Sequence, residues 1–181
     1  EYALNMSIKL AKNEYVDFVR AITPLVVDLF ELILKKQYNV DLEDYTKIVY
    51  RNGLYQRKWD AFKLNGNVKR ILDDSFGKEK GGFQAGDISS VHLKVLIEGM
   101  SSDGKLIKLV DEVRSVEENI RNLAAHEIVS VTDETIQKRT GFTAQGIMNR
   151  IKQLFAYTGI QIRNEFWNSY DDMNAKILER I

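Results

Sequence analysis

Hydrophobic residues in the middle of the chain recur at alternating intervals of three and four positions. The series consists of Leu106, Leu109, Val113, Val116, Ile120 and Leu123. This spacing is typical of a helix that buries one apolar stripe along its length. Asp103 stands just before the series begins, where its side chain can cap the first turn. The pattern therefore predicts a long amphipathic helix that begins near residue 104.

The first third of the chain is also predicted to be helical. A broad apolar stripe predicts one long helix over residues 3–38, which Pro24 kinks or divides because proline removes a backbone donor. A second helix is predicted from Asp41 or Asp44 to about residue 64, interrupted near Asn52-Gly53. It interleaves aromatic residues with cations: Tyr45, Tyr50, Tyr55, Trp59 and Phe62 with Lys47, Arg51, Arg57, Lys58 and Lys63. Such a face suits either a half-buried core with solvated charges or a surface that contacts RNA.

The remaining segments complete an all-α prediction. Residues 73–90 hold four glycines and are predicted to form a mobile loop. A short helix is favoured over a strand at residues 91–97, and residues 99–104 form the turn before the long helix. Two further helices are predicted at 132–139 and 144–157, the second ended by Gly159, and Asn168 or Ser169 is expected to cap the last helix. We expect a single helical-bundle domain over residues 1–181.

Composition excludes several classes of protein. The chain has 181 residues, of which 44% are hydrophobic and 29% charged, as in ordinary globular domains. It has no cysteine, so disulfides and thiolate metal sites are excluded. The most apolar run, residues 22–34, is broken by Asp28 and Glu31, so no membrane span is expected. A cytoplasmic location is the resulting expectation. The net charge is zero, so any RNA contact must rely on local basic patches.

The chemically most suggestive segment is Arg121-Asn122-Leu123-Ala124-Ala125-His126, at the expected end of the long helix. Imidazole exchanges protons near neutral pH, and guanidinium stabilises negative charge on phosphoryl oxygens. Together they can cleave RNA through its 2′-OH without a metal. Five helical residues separate the two side chains by roughly 140° around the axis, whereas Asn122 shares a face with His126. The alternative is an exposed arginine and a helix-terminal histidine without function.

This hexapeptide resembles the Arg-polar-x3-His signature of HEPN ribonucleases, and most of all the ribonuclease domain of the Csm-complex accessory nuclease of type III CRISPR systems. A fainter similarity covers residues 166–174. The resemblance implies an all-helical, metal-independent endoribonuclease that acts on single-stranded RNA in antiviral defence. It implies Arg121 and His126 as catalytic residues, Asn122 as a supporting residue, and an active site shared across a homodimer.

The resemblance also implies an activator outside this segment. Cyclic oligoadenylate is expected to bind a separate sensor (CARF) domain, and we expect the chain to be a fragment that lacks this N-terminal domain. No cofactor is expected in the helical domain itself. The basic residues that follow the motif, Lys138, Arg139, Arg150 and Lys152, are weak candidates for RNA binding.

Two further interpretations concern other residues. Residues 132–157 have the outline of a helix–turn–helix, with Gly141 in the turn, which would suit DNA binding without catalysis; the same outline is also that of a plain αα-hairpin. DNA is the less favoured partner, because Gly146 weakens the second helix as a recognition helix. His92 has no Asp, Glu or second His at ligand spacing, so a structural histidine is favoured over a metal ligand.

Overall fold

The computed structural model describes residues 1–77, 81–126, 131–162 and 164–179; the side chains of residues 121–126, 164–165 and 170–171 lie outside the description. The elements are α1 (Tyr2–Ala11), α2 (Tyr15–Tyr38), a 3-10 turn (Leu42–Tyr45), β1 (Thr46–Arg51), β2 (Leu54–Trp59), α3 (Gly66–Phe76), α4 (Ser90–Met100), α5 (Gly104–His126), α6 (Asp133–Thr140), α7 (Ala144–Phe155) and α8 (Asn164–Leu178). The all-α prediction is confirmed as a mostly helical fold, to which a small antiparallel hairpin is added.

Helix α2 lies at the centre of the core. It packs against α1, α4, α5 and α7, and its buried stripe comprises Phe18, Val19, Ile22, Leu25, Val26, Leu29, Phe30, Ile33 and Leu34. Burial of each large apolar side chain contributes about 1.5–3 kcal/mol. The broad stripe that predicted this helix is thus the main hydrophobic surface of the molecule, and α5 is fixed against it.

The prediction for residues 3–38 is wrong about where the helix divides. The chain divides at residues 12–14, between α1 and α2, and Pro24 lies inside α2. Asn13 adopts a left-handed conformation with φ of 58° and donates its backbone N–H to the carbonyl of Leu10 at 3.0 Å. Asparagine tolerates this conformation better than most residues. Burial of apolar residues on both sides of Pro24 holds α2 together despite the missing donor.

The helix predicted from Asp41 or Asp44 to about residue 64 is also wrong. Asp41 caps only the short 3-10 turn, accepting a hydrogen bond from the backbone N–H of Glu43 at 3.1 Å. Strands β1 and β2 then pair antiparallel, with Thr46 opposite Trp59 and Tyr50 opposite Tyr55. Asn52 and Gly53 both have positive φ, 53° and 81°, as a two-residue type I′ turn requires. The dipeptide is therefore the tip of a hairpin and not an interruption in a helix.

The ends of several other elements differ from the predictions. The first residues of the predicted 73–90 loop belong to α3, a helix that the sequence analysis missed, and the predicted helix at 91–97 is confirmed as part of α4. Helix α7 ends at Phe155, so Gly159 follows it after a further turn. Asn168 and Ser169 lie inside α8 and cannot cap its first turn.

Candidate active site

Helix α5 carries the Arg-x4-His motif, and it begins as the sequence predicts. The Asp103 side chain accepts hydrogen bonds from the backbone N–H groups of Lys105, at 2.8 Å, and Leu106, at 3.3 Å. These bonds satisfy donors that the first helical turn leaves free. The predicted stripe is buried at every position whose side chain is described: Leu106, Leu109, Val113, Val116 and Ile120.

The motif occupies the last turns of this helix. The helical backbone continues to His126, so Arg121 and His126 are five positions apart on one helix. That separation corresponds to roughly 140° around the axis and about 7.5 Å along it. The side chains of Arg121, Asn122 and His126 lie outside the described part of the chain, so their catalytic and supporting roles remain predictions.

A buried polar cluster lies one turn before the motif. Glu117 is fully buried in α5, and its carboxylate accepts a hydrogen bond from the hydroxyl of Ser90 at the beginning of α4. Arg114 places its Nε 3.5 Å from the same carboxylate and its Nη1 3.4 Å from Glu118. Neither nitrogen meets hydrogen-bond geometry, so Arg114 interacts with both acids through charge. These residues were not predicted from the sequence. The available signal was that Glu117 lies four residues after Val113 and three before Ile120, next to the apolar stripe.

Two of the predicted RNA-binding cations are engaged within the protein. Arg150 donates from Nε to Glu112 at 2.7 Å, and its guanidinium lies 3.7 Å above the centre of the Phe142 ring. The ammonium of Lys152 lies 4.9 Å from the centre of the Trp167 ring, at the edge of a cleft of about 480 Å³ between α1, α7 and α8. Lys138 and Arg139 are exposed on α6. Exposure therefore distinguishes Lys138 and Arg139 from the partly buried Arg150 and Lys152.

The predicted helix–turn–helix outline is present between α6 and α7. Gly141 ends α6 with φ of 78°, and the Thr143 side chain accepts from the backbone N–H of Gly146 at 3.0 Å. The exposed strip of α7 consists of three neutral amides, Gln145, Asn149 and Gln153. DNA-reading helices normally combine base contacts with nearby cations for the phosphates. This strip favours the αα-hairpin interpretation over DNA binding.

His92, in α4, lies in an aromatic cluster with Trp59, Phe76 and Phe83. The indole N–H of Trp59 donates to its Nδ1 at 3.2 Å, and Phe76 and Phe83 meet its ring edge to face at 5.2 and 5.1 Å. Burial lowers the pKa of His92 below its ordinary value. The Asp and Glu residues of the described chain form no cluster of three or more with this histidine that could hold a metal ion. The expectation of a structural histidine agrees with these contacts.

A mostly helical domain with an Arg-x4-His motif at the end of a long helix has the organisation of a HEPN domain. The Cas_Csm6 HEPN domain family model matches residues 1–178, and the chain belongs to this family. The class is that of CRISPR-associated HEPN ribonucleases, whose Csm6-type domains act on RNA. No curated protein matches the chain. None of the helices in the described residues has both the length and the apolar character needed to cross a bilayer.

Proposed function

We propose that this domain is a metal-independent endoribonuclease that cleaves single-stranded RNA in CRISPR antiviral defence. The observation that carries the proposal is the family match over nearly the whole chain, combined with the Arg-x4-His motif at the end of α5. A ribonuclease family supplies the reaction class, and the motif supplies residue types that suit it.

In the proposed mechanism the ribose 2′-OH attacks the adjacent phosphorus, and the 5′-oxygen of the next nucleotide leaves. His126 is the general acid/base that takes the first proton or provides the second. Arg121 stabilises the negative charge that builds on the phosphoryl oxygens, and Asn122 supports the imidazole from one turn away. The products are a 2′,3′-cyclic phosphate and a 5′-OH, and DNA is not cleaved because it lacks the nucleophile.

The site is proposed to form between two copies of the chain. An angle of roughly 140° between Arg121 and His126 directs the two side chains of one helix apart. A second copy can place its own pair opposite the first, so that an arginine and a histidine converge on one phosphate. Cyclic oligoadenylate is proposed to act on a sensor domain that is not part of this segment, and no cofactor is assigned to the helical domain.

The buried Glu117 cluster supports the proposal because it fixes the helix that carries the motif. Ser90 and Arg114 hold Glu117 from two sides, so the turn of α5 before Arg121 is anchored to α4. A catalytic group on a rigid element keeps its position better than one on a loop. Lys138 and Arg139 are the stronger of the proposed RNA contacts, since both are exposed whereas Arg150 and Lys152 are partly buried.

The test is cleavage of a labelled single-stranded RNA in excess EDTA by the wild-type protein, Arg121→Ala and His126→Ala. The proposal predicts cleavage by the wild type and a loss of at least about 10²-fold in each variant. Lys108→Ala is the matched control, because Lys108 is an exposed cation near the beginning of the same helix, 79% of its side chain being accessible. Abolition of wild-type activity by EDTA, or full activity in both motif variants, would refute the mechanism.

Dependence on a second copy is tested by dilution. If the site is composite, the rate per chain falls as the protein is diluted below the dissociation constant of the dimer, and light scattering shows the mass falling over the same range. A rate per chain that stays constant while the dimer dissociates would show that one chain contains the whole site.

A further inference from the structure

The β1–β2 hairpin exposes large apolar and aromatic side chains that the helical core does not use. Ile48, Tyr50, Leu54 and Tyr55 are between 64% and 80% exposed. A two-stranded hairpin with such a surface is marginally stable by itself and invites association. We propose that this hairpin is a binding platform for single-stranded RNA; the proposal rests on the proposed function, since RNA is the substrate.

The aromatic part of the platform is a pair of tyrosines at the hairpin tip. Tyr50 and Tyr55 are directly opposite in the register, and their ring centroids are 5.0 Å apart. Both rings are mostly exposed, at 64% and 80%. Nucleobases stack on exposed aromatic faces with little dependence on sequence. A cleaving enzyme with a general substrate benefits from such sequence-tolerant contacts.

The strands of the hairpin carry only positive charge, which suits a polyanion as the occupant. Residues 46–59 contain four cations and no acid. Three of the cations are paired with acids of neighbouring segments: Arg57 with Glu31, Lys58 with Asp87 at 2.8 Å, and Lys47 with Asp60 at 3.6 Å. Lys47 is still about half exposed, and Arg51 is exposed near the tip; both lie on the face of the hairpin opposite the tyrosine pair. These two cations can meet the phosphates of a strand that wraps around the hairpin while its bases stack on the tyrosines.

A series of contacts links the hairpin base to the helix that carries the motif. Trp59, the last residue of β2, hydrogen-bonds His92 of α4 at 3.2 Å. Ser90, at the beginning of the same helix, hydrogen-bonds Glu117, which is one helical turn before the motif. The tip extends from Trp59 by five strand residues, about 17 Å. The hairpin base is thus connected through α4 to α5, the helix on which cleavage is proposed to occur.

The experiment measures binding of a fluorescently labelled, fully 2′-O-methylated single strand by anisotropy. This probe lacks the 2′-OH nucleophile, so the result does not depend on the cleavage mechanism. The double variant Tyr50→Ala/Tyr55→Ala is expected to raise Kd by at least about tenfold, because it removes both rings on which bases can stack. Tyr50→Phe/Tyr55→Phe keeps the rings and is expected to stay within about twofold of the wild type.

Leu178→Ala is the matched control, since Leu178 is an equally exposed apolar residue at the end of α8, 73% accessible. Unchanged Kd in the double alanine variant would overturn the proposal. A double alanine variant with unchanged Kd but a smaller mass by light scattering would also overturn it, because the hairpin would then be a contact between two copies of the chain. Wild-type protein that binds the probe through the tyrosines but cleaves no RNA would refute the proposed function and leave the platform standing.

Discussion

The hydroxyl of Ser90 donates a hydrogen bond to the carboxylate of Glu117, and this contact joins α4 to the second half of α5 in a fully buried position. A buried carboxylate is costly unless it is paired and hydrogen-bonded. Glu117 meets both conditions, since Arg114 lies 3.5 Å away. The contact links residues 27 positions apart in the sequence and fixes the helix that carries the motif.

Replacement of Glu117 by alanine is expected to lower the free energy of unfolding by about 3–5 kcal/mol, because Arg114 and Ser90 lose a buried partner. Glu117→Gln keeps the shape and an acceptor oxygen and should cost less, about 1–3 kcal/mol. Urea denaturation followed by circular dichroism measures both values. Glu118→Ala is the control: Glu118 is 71% exposed, so its loss should cost about 1 kcal/mol or less. Equal effects at positions 117 and 118 would contradict the buried cluster.

Protonation of His92 is expected to destabilise the fold. Burial lowers the pKa of His92 in the folded state, and its Nδ1 accepts the Trp59 N–H, which requires the neutral ring. The unfolded chain therefore binds a proton more readily. The His92 contribution to stability is complete above pH of about 6.5 and is lost as the pH falls toward the lower, folded-state pKa.

His92→Asn provides the comparison, because an amide oxygen can accept the Trp59 hydrogen bond without titrating in this range. The difference in the free energy of unfolding between wild type and variant should change by no more than about 1.4 kcal/mol per pH unit. This is the limit for a single titrating group. Thermal melts at half-unit steps from pH 7.5 to 5 measure it. Parallel pH dependence of the two proteins would show that His92 does not titrate on unfolding.

The end of α2 offers a backbone test. Asn39 follows the helix with φ of 54° and ψ of 34° and is exposed. Glycine adopts this left-handed conformation freely, whereas alanine pays about 1–2 kcal/mol for it. Asn39→Gly should therefore equal or exceed the wild type in stability, and Asn39→Ala should fall below it by about 1 kcal/mol. The reverse order in a denaturant titration would mean that this residue is not left-handed.

Local patterns predicted the parts of the fold that depend on local interactions. The stripe and the Asp103 cap of α5 lie next to one another in the sequence, and both are confirmed. The hairpin was missed because aromatic residues and cations alternate there in a way that fits more than one period, and Asn52-Gly53 was interpreted as a helix interruption. The break at Asn13 could not be predicted from proline or glycine, because neither residue type occurs there.

The candidate site, like the fold, has features that contiguous sequence determines and features that depend on distant residues. The position of Arg121 and His126 at the end of a helix could be predicted, because the helix period and the motif are contiguous. The burial of Glu117 could not, because it depends on Ser90 in another helix. The pairing of Arg150 with Glu112, 38 positions away, was equally beyond a sequence argument, and it weakens that arginine as an RNA contact.

The most direct test of the account is the chemistry of the cleaved ends. Single-stranded RNA treated with the protein in EDTA should yield 5′ fragments that end in a 2′,3′-cyclic phosphate and 3′ fragments that begin with a 5′-OH, as identified by mass spectrometry, and His126→Ala should yield neither. Fragments with a 3′-OH and a 5′-phosphate, or the predicted ends formed at the wild-type rate by His126→Ala, would contradict the central claim.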